Sequence, residues 1–184
     1  MKTHFATLKN INSIRKILQE NLVDIDDSRI LSERKNNGFL VRNISEKEIE
    51  ELILDEKNHL VLVAEKDGEV LGYLIASRFT YLPENLQNGV LSCLQMKKIT
   101  DFEQIIYHRQ IAVKSGFKGI GGVLLAEFLT QAKLKGFKNV LCRIVHQPIH
   151  NQRSILFHQK FGFGFLGEIG ENNLIAGLYL KNLD

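Results

Sequence analysis

Apolar residues recur along this chain with two periods. Between positions 120 and 132 they fall three and four residues apart (Ile120, Leu124, Leu125, Phe128, Leu129 and Ala132), the spacing that lines one face of a helix. Lys133 and Lys135 suit the negative C-terminal end of that helix, and Gly136 stops it. Just upstream, Ile105-Ile106-Tyr107 and Ile111-Ala112-Val113 are β-branched and aromatic runs that suit a pleated, buried surface and predict a strand. Near the start, residues 4–8 alternate loosely enough for a first strand. From Asn10 to Val23 the residues Ile11, Ile14, Ile17, Leu18 and Leu22 then share one helical face.

Asp24-Ile25-Asp26-Asp27-Ser28 breaks that helix; without the glycine and distal glutamate of a calcium loop, the acidic cluster reads as a solvated helix end. Ser45-Glu46-Lys47-Glu48 is a capping box that opens a short helix reaching Leu54. Two apolar runs, Leu60 to Ala64 and Val70 to Ala76, flank Lys66-Asp67-Gly68-Glu69. Asp-Gly tolerates the positive φ of a tight turn, so the pattern predicts a hairpin. Residues 79–104 read as an irregular connection with one helical turn over Leu91 to Met96; a long connection of this kind in a compact domain is more often functional than idle. A strand over Val140 to Val145 and a helix through Lys160 capped by Asn151 follow. A final hairpin joins Phe165–Glu168 to Leu174–Leu180 around Gly170-Glu171-Asn172-Asn173.

With 184 residues, 44% of them hydrophobic, the chain suits one well-packed domain spanning 1–184. The formal charge of +3 is spread along the sequence without a basic block or an aromatic-basic RNA motif, so nucleic acid is not the expected partner, while an acidic cofactor is welcome. Cys93 and Cys142 are too few and too distant for a disulfide framework or a zinc site, so no metal is expected and a reducing cytoplasm fits. No apolar run reaches membrane-spanning length and the start resembles no secretion signal; no membrane partner is expected.

Strand, glycine-rich turn and helix meet at Gly116-Phe117-Lys118-Gly119-Ile120-Gly121-Gly122. Glycines let the backbone approach a bound group, and the free N–H groups of a first helical turn make an anion site. The turn lacks the terminal Gly-Lys-Ser/Thr of a P-loop and the Gly-x-Gly-x-x-Gly with a distal acid of a dinucleotide fold. A second motif follows, Asn151-Gln152-Arg153-Ser154-Ile155-Leu156-Phe157-His158-Gln159-Lys160-Phe161-Gly162-Phe163.

Together the two motifs resemble the GNAT superfamily of acyl-CoA-dependent N-acyltransferases. Gly119-Ile120-Gly121 matches the core of that family's first signature, and Asn151, Ser154 and Gly162-Phe163 match the second. Two features depart from the pattern. The family's Arg/Gln position falls on Gly116 in a segment about two residues shorter than the common form, leaving Lys114 or Lys118 to supply charge. His158 also stands where many relatives carry tyrosine, beside Phe157 in a Phe-His pair that looks like a recognised variant.

The resemblance implies an α/β (α+β) domain with a central mixed, mostly antiparallel sheet flanked by helices, and acetyl transfer from acetyl-CoA to a primary amine on a small molecule or protein. It also leaves room for a homodimer. It implies that backbone amides of Lys118, Gly119, Ile120, Gly121 and Gly122 hold the pyrophosphate, and that the strand end at Ile111, Ala112 and Val113 polarises the thioester carbonyl. On the same resemblance Asn151 and Phe157 are expected to contact the cofactor, Asn151 also being the helix cap, while residues near Gly38-Phe39-Leu40 are expected to border the acceptor and the 79–104 connection to take part in selecting it. His158 is the expected proton donor to the leaving thiolate. Glu103 or His108, acting through water, is the expected base, among neighbours Tyr107, Arg109 and His146. Two other functions fit the same residues: a CoA-binding sensor without turnover, and transfer of a different acyl group.

Overall fold

The structure, a computed structural model, describes residues 1–27, 33, 37–171 and 174–184, Glu171 by its backbone alone. Ser28 of the acidic break and Asn172-Asn173 of the last turn lie outside the described residues. Among the described residues, the strands β1 (Lys2–Phe5), β2 (His59–Lys66), β3 (Glu69–Arg78), β4 (Ile105–Val113), β5 (Asn139–Gln147), β6 (Gly164–Glu171) and β7 (Leu174–Asn182) form one sheet in the order β1-β2-β3-β4-β5-β7-β6. Every neighbouring pair is antiparallel except β4 with β5, which run parallel. The mixed, mostly antiparallel sheet flanked by helices is therefore as expected.

Helices cover both faces because their apolar stripes match those of the strands. On one face lie α1 (Ile11–Asn21) and α2 (Glu46–Leu54), whose Ile14, Leu18 and Ile49 bury fully against Val63, Tyr73 and Ile75. Ser45 Oγ accepts the Glu48 N–H at 3.1 Å, so the capping box opens α2 where the sequence places it. On the other face α4 (Ile120–Leu134) buries Leu124, Leu125 and Phe128 against Leu62, Leu74, Ile106 and Val140. Each such side chain contributes about 1.5–3 kcal/mol. Gly72 sets how closely α4 approaches: a Cβ there would lie 2.9 Å from Ala112 O and 3.0 Å from Ile120 Cγ2.

The Asp67-Gly68 turn has φ of 52° and 81°, the paired positive values a tight hairpin needs. Two elements differ from expectation. The first strand is Lys2–Phe5 rather than 4–8, because Asn10 Oδ1 accepts from Thr7 N at 2.8 Å and folds residues 8–10 into a 3-10 turn. Within the connection read as irregular lies α3 (Glu84–Met96), which buries Leu86, Val90, Cys93 and Leu94. Their helical spacing is carried among Asn85, Asn88 and Gly89, poor helix formers that packing against Tyr107, Leu141 and Leu178 overrides. A last helix, α5 (Gln152–Lys160), follows β5. Cys93 and Cys142 are free and buried, and no described helix is long and apolar enough to cross a membrane.

Candidate active site

The parallel pair β4 and β5 holds together only from Ile105–Asn139 to His108–Cys142 and then opens. Each strand is bulged against its other neighbour: Arg109 is the extra residue of β4 between His108 and Gln110, and His146 that of β5 between Val145 and Gln147. A bulge bends its strand, so the two bulges fit strands that diverge into a wedge. A cleft of about 680 Å³ follows this wedge, lined by both strand ends, the glycine turn, α5 and residues 37–42.

Backbone polarity within the wedge follows from one bond. Lys114 N–H donates to Leu71 O at 2.8 Å, toward β3, so the alternation of an antiparallel strand turns the N–H groups of Ile111 and Val113 the other way, into the opening. Val113 O is already taken there by Asn21 Nδ2 at 3.1 Å. Ala112 lines the cleft too, but its own N–H faces β3.

Beyond Val113 the chain turns through Gly116 (φ 86°) and Gly119 (φ 81°), where nothing lies within 4 Å of an added Cβ; backbone conformation, not space, requires glycine at both. Val123 N–H donates to Gly119 O at 3.3 Å and opens α4, leaving the N–H groups of Ile120, Gly121 and Gly122 without intrahelical partners. An anion seated there meets the positive end of a fifteen-residue helix. Gly119, Ile120, Gly121 and Gly122 line the cleft and Lys118 does not. Lys114 lines it while paired with Glu69. Arg153, at the second position of α5, is a cationic lining residue that sequence reading missed, although it lies inside the motif that begins at Asn151.

Asn151 is 4% exposed and bonds in two directions: Oδ1 accepts from Ser154 N–H at 3.4 Å as the cap of α5, and Nδ2 donates to Phe39 O at 2.9 Å. It therefore ties the 37–42 strap across the cleft. Leu40 N–H to Asn21 O (2.9 Å) and Gln110 Nε2 to Arg42 O (2.6 Å) fix the same strap elsewhere. Gly38, Phe39 and Leu40 line the cleft, as does Leu86 of α3, and Phe157 packs 3.6 Å from where a Gly121 Cβ would stand.

His158 and His108 both line the cleft and meet there, each at most 4% exposed. Ser154 O can only accept, so His158 Nδ1, 2.8 Å away, carries hydrogen and donates to it. His158 Nε2 then accepts from His108 Nδ1–H at 3.3 Å, and His108 Nε2 is left buried without a partner among the described residues. Burial lowers the pKa of His158 to about 4 despite the Ser154 bond, which raises it. Burial, then His158, holds His108 well below the ordinary histidine range, against a smaller opposing pull from the Gln110 backbone. Burial also raises the Cys142 thiol pKa, and the ligand atoms of His108, Cys142 and His158 lie within 4.8 Å of one another, the described cluster that a metal would find.

The other expected residues lie elsewhere. Glu103 sits outside the cleft in the 3-10 turn before β4, its carboxylate 3.6 Å from Arg78 Nη1, because residues 102–104 precede the paired rather than the splayed end of the strand. His146 is also outside, bonded to Glu168 Oε1 at 2.7 Å and Tyr179 Oη at 3.0 Å. Tyr107 and Arg109 do line the cleft, on the side of the sheet that faces α2 and α3, where Arg42 and Arg143 join them.

The model of the acetyltransferase (GNAT) family matches residues 28–163. No curated protein sequence matches the chain. Solved structures similar to it include an N-acetyltransferase from Staphylococcus aureus Mu50 (TM-score 0.67, 21% identity, 100% of this chain and 98% of that one). A ribosomal-protein-alanine N-acetyltransferase from Brucella melitensis is alike to the same degree (TM-score 0.67, 19% identity, 99% of each chain). So is yncA from Salmonella typhimurium, solved with its cofactor acetyl-CoA (TM-score 0.66, 17% identity, 100% of this chain and 94% of that one). At such identities these likenesses concern the fold, whereas the family match spans most of the sequence: the chain belongs to the GNAT acetyltransferase family, acetyl-CoA-dependent acyltransferases that act on amines.

Proposed function

We propose that the whole chain works as one N-acetyltransferase domain that moves an acetyl group from acetyl-CoA to a primary amine by direct attack. The observation that carries this reading is the alignment of two donor sets along one cleft: the open N–H groups at Ile111 and Val113, and those of Ile120 to Gly122 at the head of α4. In this reading the helix head takes the pyrophosphate, with Arg153 and Lys114 adding charge near it, and the strand amides accept the thioester carbonyl. The amine lone pair forms a bond to the carbonyl carbon, the oxygen carries the negative charge against the strand amides, and the C–S bond breaks as nitrogen sheds a proton and sulfur gains one.

His158 is the candidate donor of the sulfur's proton, a role worth roughly 10²–10⁴-fold. As a neutral ring it holds its single hydrogen against Ser154 O, so it donates at Nε2 only after taking up a second proton. His108 is the candidate partner in moving that proton. Glu103 has no part in this reading. The same histidine geometry favours a second reading, a CoA-binding protein of this fold with slow or no turnover. Thiol release from acetyl-CoA with a panel of amines tests the proposal. Release that requires an amine and yields the acetylated amine supports it; acetyl-CoA binding without release leaves the second reading, and faster release from longer acyl chains would replace acetyl as the transferred group.

A further inference from the structure

The acceptor side of the cleft carries its charge in an uneven way. The bulge at Arg109 turns both Arg109 and Gln110 toward the α2 side, since Arg109 bonds Glu48 of α2 while Gln110 bonds Tyr73 Oη and the Arg42 carbonyl. Arg109 Nη2 and Arg42 Nη2 share a single carboxylate oxygen, Glu48 Oε1, at 2.6 and 3.1 Å. Arg109 Nε is buried without a partner among the described residues. Both arginines line the cleft, and Arg143 lines it beside them around Tyr107. Glu20 is the one carboxylate among the described lining residues, and its Oε2 is engaged at the cofactor end by Ser115 N–H at 3.2 Å.

We infer that the acceptor is an amine that carries its own carboxylate, which Arg109 and Arg42 receive while the nitrogen faces the strand amides; this rests on the acetyl-transfer reading above. Two cations on one carboxylate leave a net positive charge, and planar guanidiniums match a carboxylate through paired N–H donors. A simple ammonium entering the same side meets like charge and no acid to hold it. Arg109 is two residues from Ile111, about 7 Å along the strand, so carboxylate and amine belong to one compact unit. Such a unit is either a free amino acid or an acidic residue at a peptide's N-terminus.

The test is kcat/KM at saturating acetyl-CoA for free amino acids, their α-carboxamides and the matching decarboxylated amines, beside short peptides beginning with Asp or Glu and their Asn or Gln counterparts. The expected result is a preference of at least about tenfold for the carboxylate member in one of the two series, and which series shows it identifies the source of the carboxylate. In Arg109→Gln that preference collapses toward unity while the rise in melting temperature caused by acetyl-CoA is kept. Arg42→Gln, at a half-exposed position, repeats the measurement where Arg109→Gln does not fold. Equal or better turnover of the neutral members overturns the inference and leaves acetyl transfer intact. Acetyl-CoA binding with no acceptor turned over overturns both.

Discussion

His158 Nε2 stands 3.3 Å from His108 Nδ1, and because Ser154 O fixes hydrogen on the far nitrogen of His158, the hydrogen between the two rings belongs to His108. A proton for the leaving thiolate therefore has to be added to this pair. Its members are buried and resist the charge.

That condition has a kinetic signature. The protonated fraction of His158 falls tenfold per pH unit above its pKa of about 4, while the neutral fraction of an amine rises tenfold per unit up to its own pKa. If both are required, kcat/KM for the amine is flat between those limits. In His158→Phe the acid requirement disappears, kcat falls by at least about tenfold at pH 7, and the profile rises with unit slope; His158→Tyr restores much of the rate. A parent profile that already rises with unit slope, together with a phenylalanine variant within about twofold of it, would show that the proton comes from water.

The same burial makes stability depend on pH. The folded pKa of His158, about 4, lies below the unfolded value of 6.5, so between them the unfolded chain binds more protons than the folded one. The contribution is complete above pH 6.5 and is lost as pH falls toward 4, about 3 kcal/mol at the limit. Denaturant titrations at several pH values should give a steeper acid loss for the parent than for His158→Phe. Parallel curves would mean that the ring charges as readily folded as unfolded.

For the helix head, the expected behaviour separates charge from shape. A Cβ at Gly121 would lie 3.6 Å from Phe157 and 3.7 Å from Val113, ordinary contact, so Gly121→Ala is tolerated. Gly121→Asp puts a carboxylate where the phosphates are proposed to sit and should remove most of the thermal shift from acetyl-CoA, which at a hundredfold excess over Kd amounts to about 2.7 kcal/mol in the parent. An undiminished shift in Gly121→Asp would move the phosphate site elsewhere.

How much of this was legible beforehand depended on whether a local pattern carried it. Helix α4 and the β2–β3 hairpin were readable because spacing and an Asp-Gly turn are local signals, and the strand–turn–helix order located the glycine turn. Helix α3 was hidden by Asn85, Asn88 and Gly89, whose weak propensity is outweighed by a buried stripe that only tertiary contacts complete. Glu103 and Arg109 show the same limit at the site. Glu103 precedes the strand and Arg109 lies on it, yet the register and its bulge send Arg109 into the cleft and leave Glu103 with Arg78 outside it. The sharing of Glu48 by Arg42 and Arg109 joins residues far apart in sequence and has no signature at all.

Asn151 offers a way to separate its two bonds. Serine caps a helix about as well as asparagine but lacks the arm that reaches Phe39 O, whereas alanine provides neither function. Asn151→Ser should therefore keep α5 intact while freeing the 37–42 strap at its α5 anchor, raising KM for the amine, whereas Asn151→Ala should cost about 1 kcal/mol more in stability. Melting temperature and steady-state constants measured together distinguish the cases. If the cap is what matters, the serine variant behaves as the parent in both. If the strap matters, serine and alanine share the rise in KM, and only alanine shows the added loss of stability.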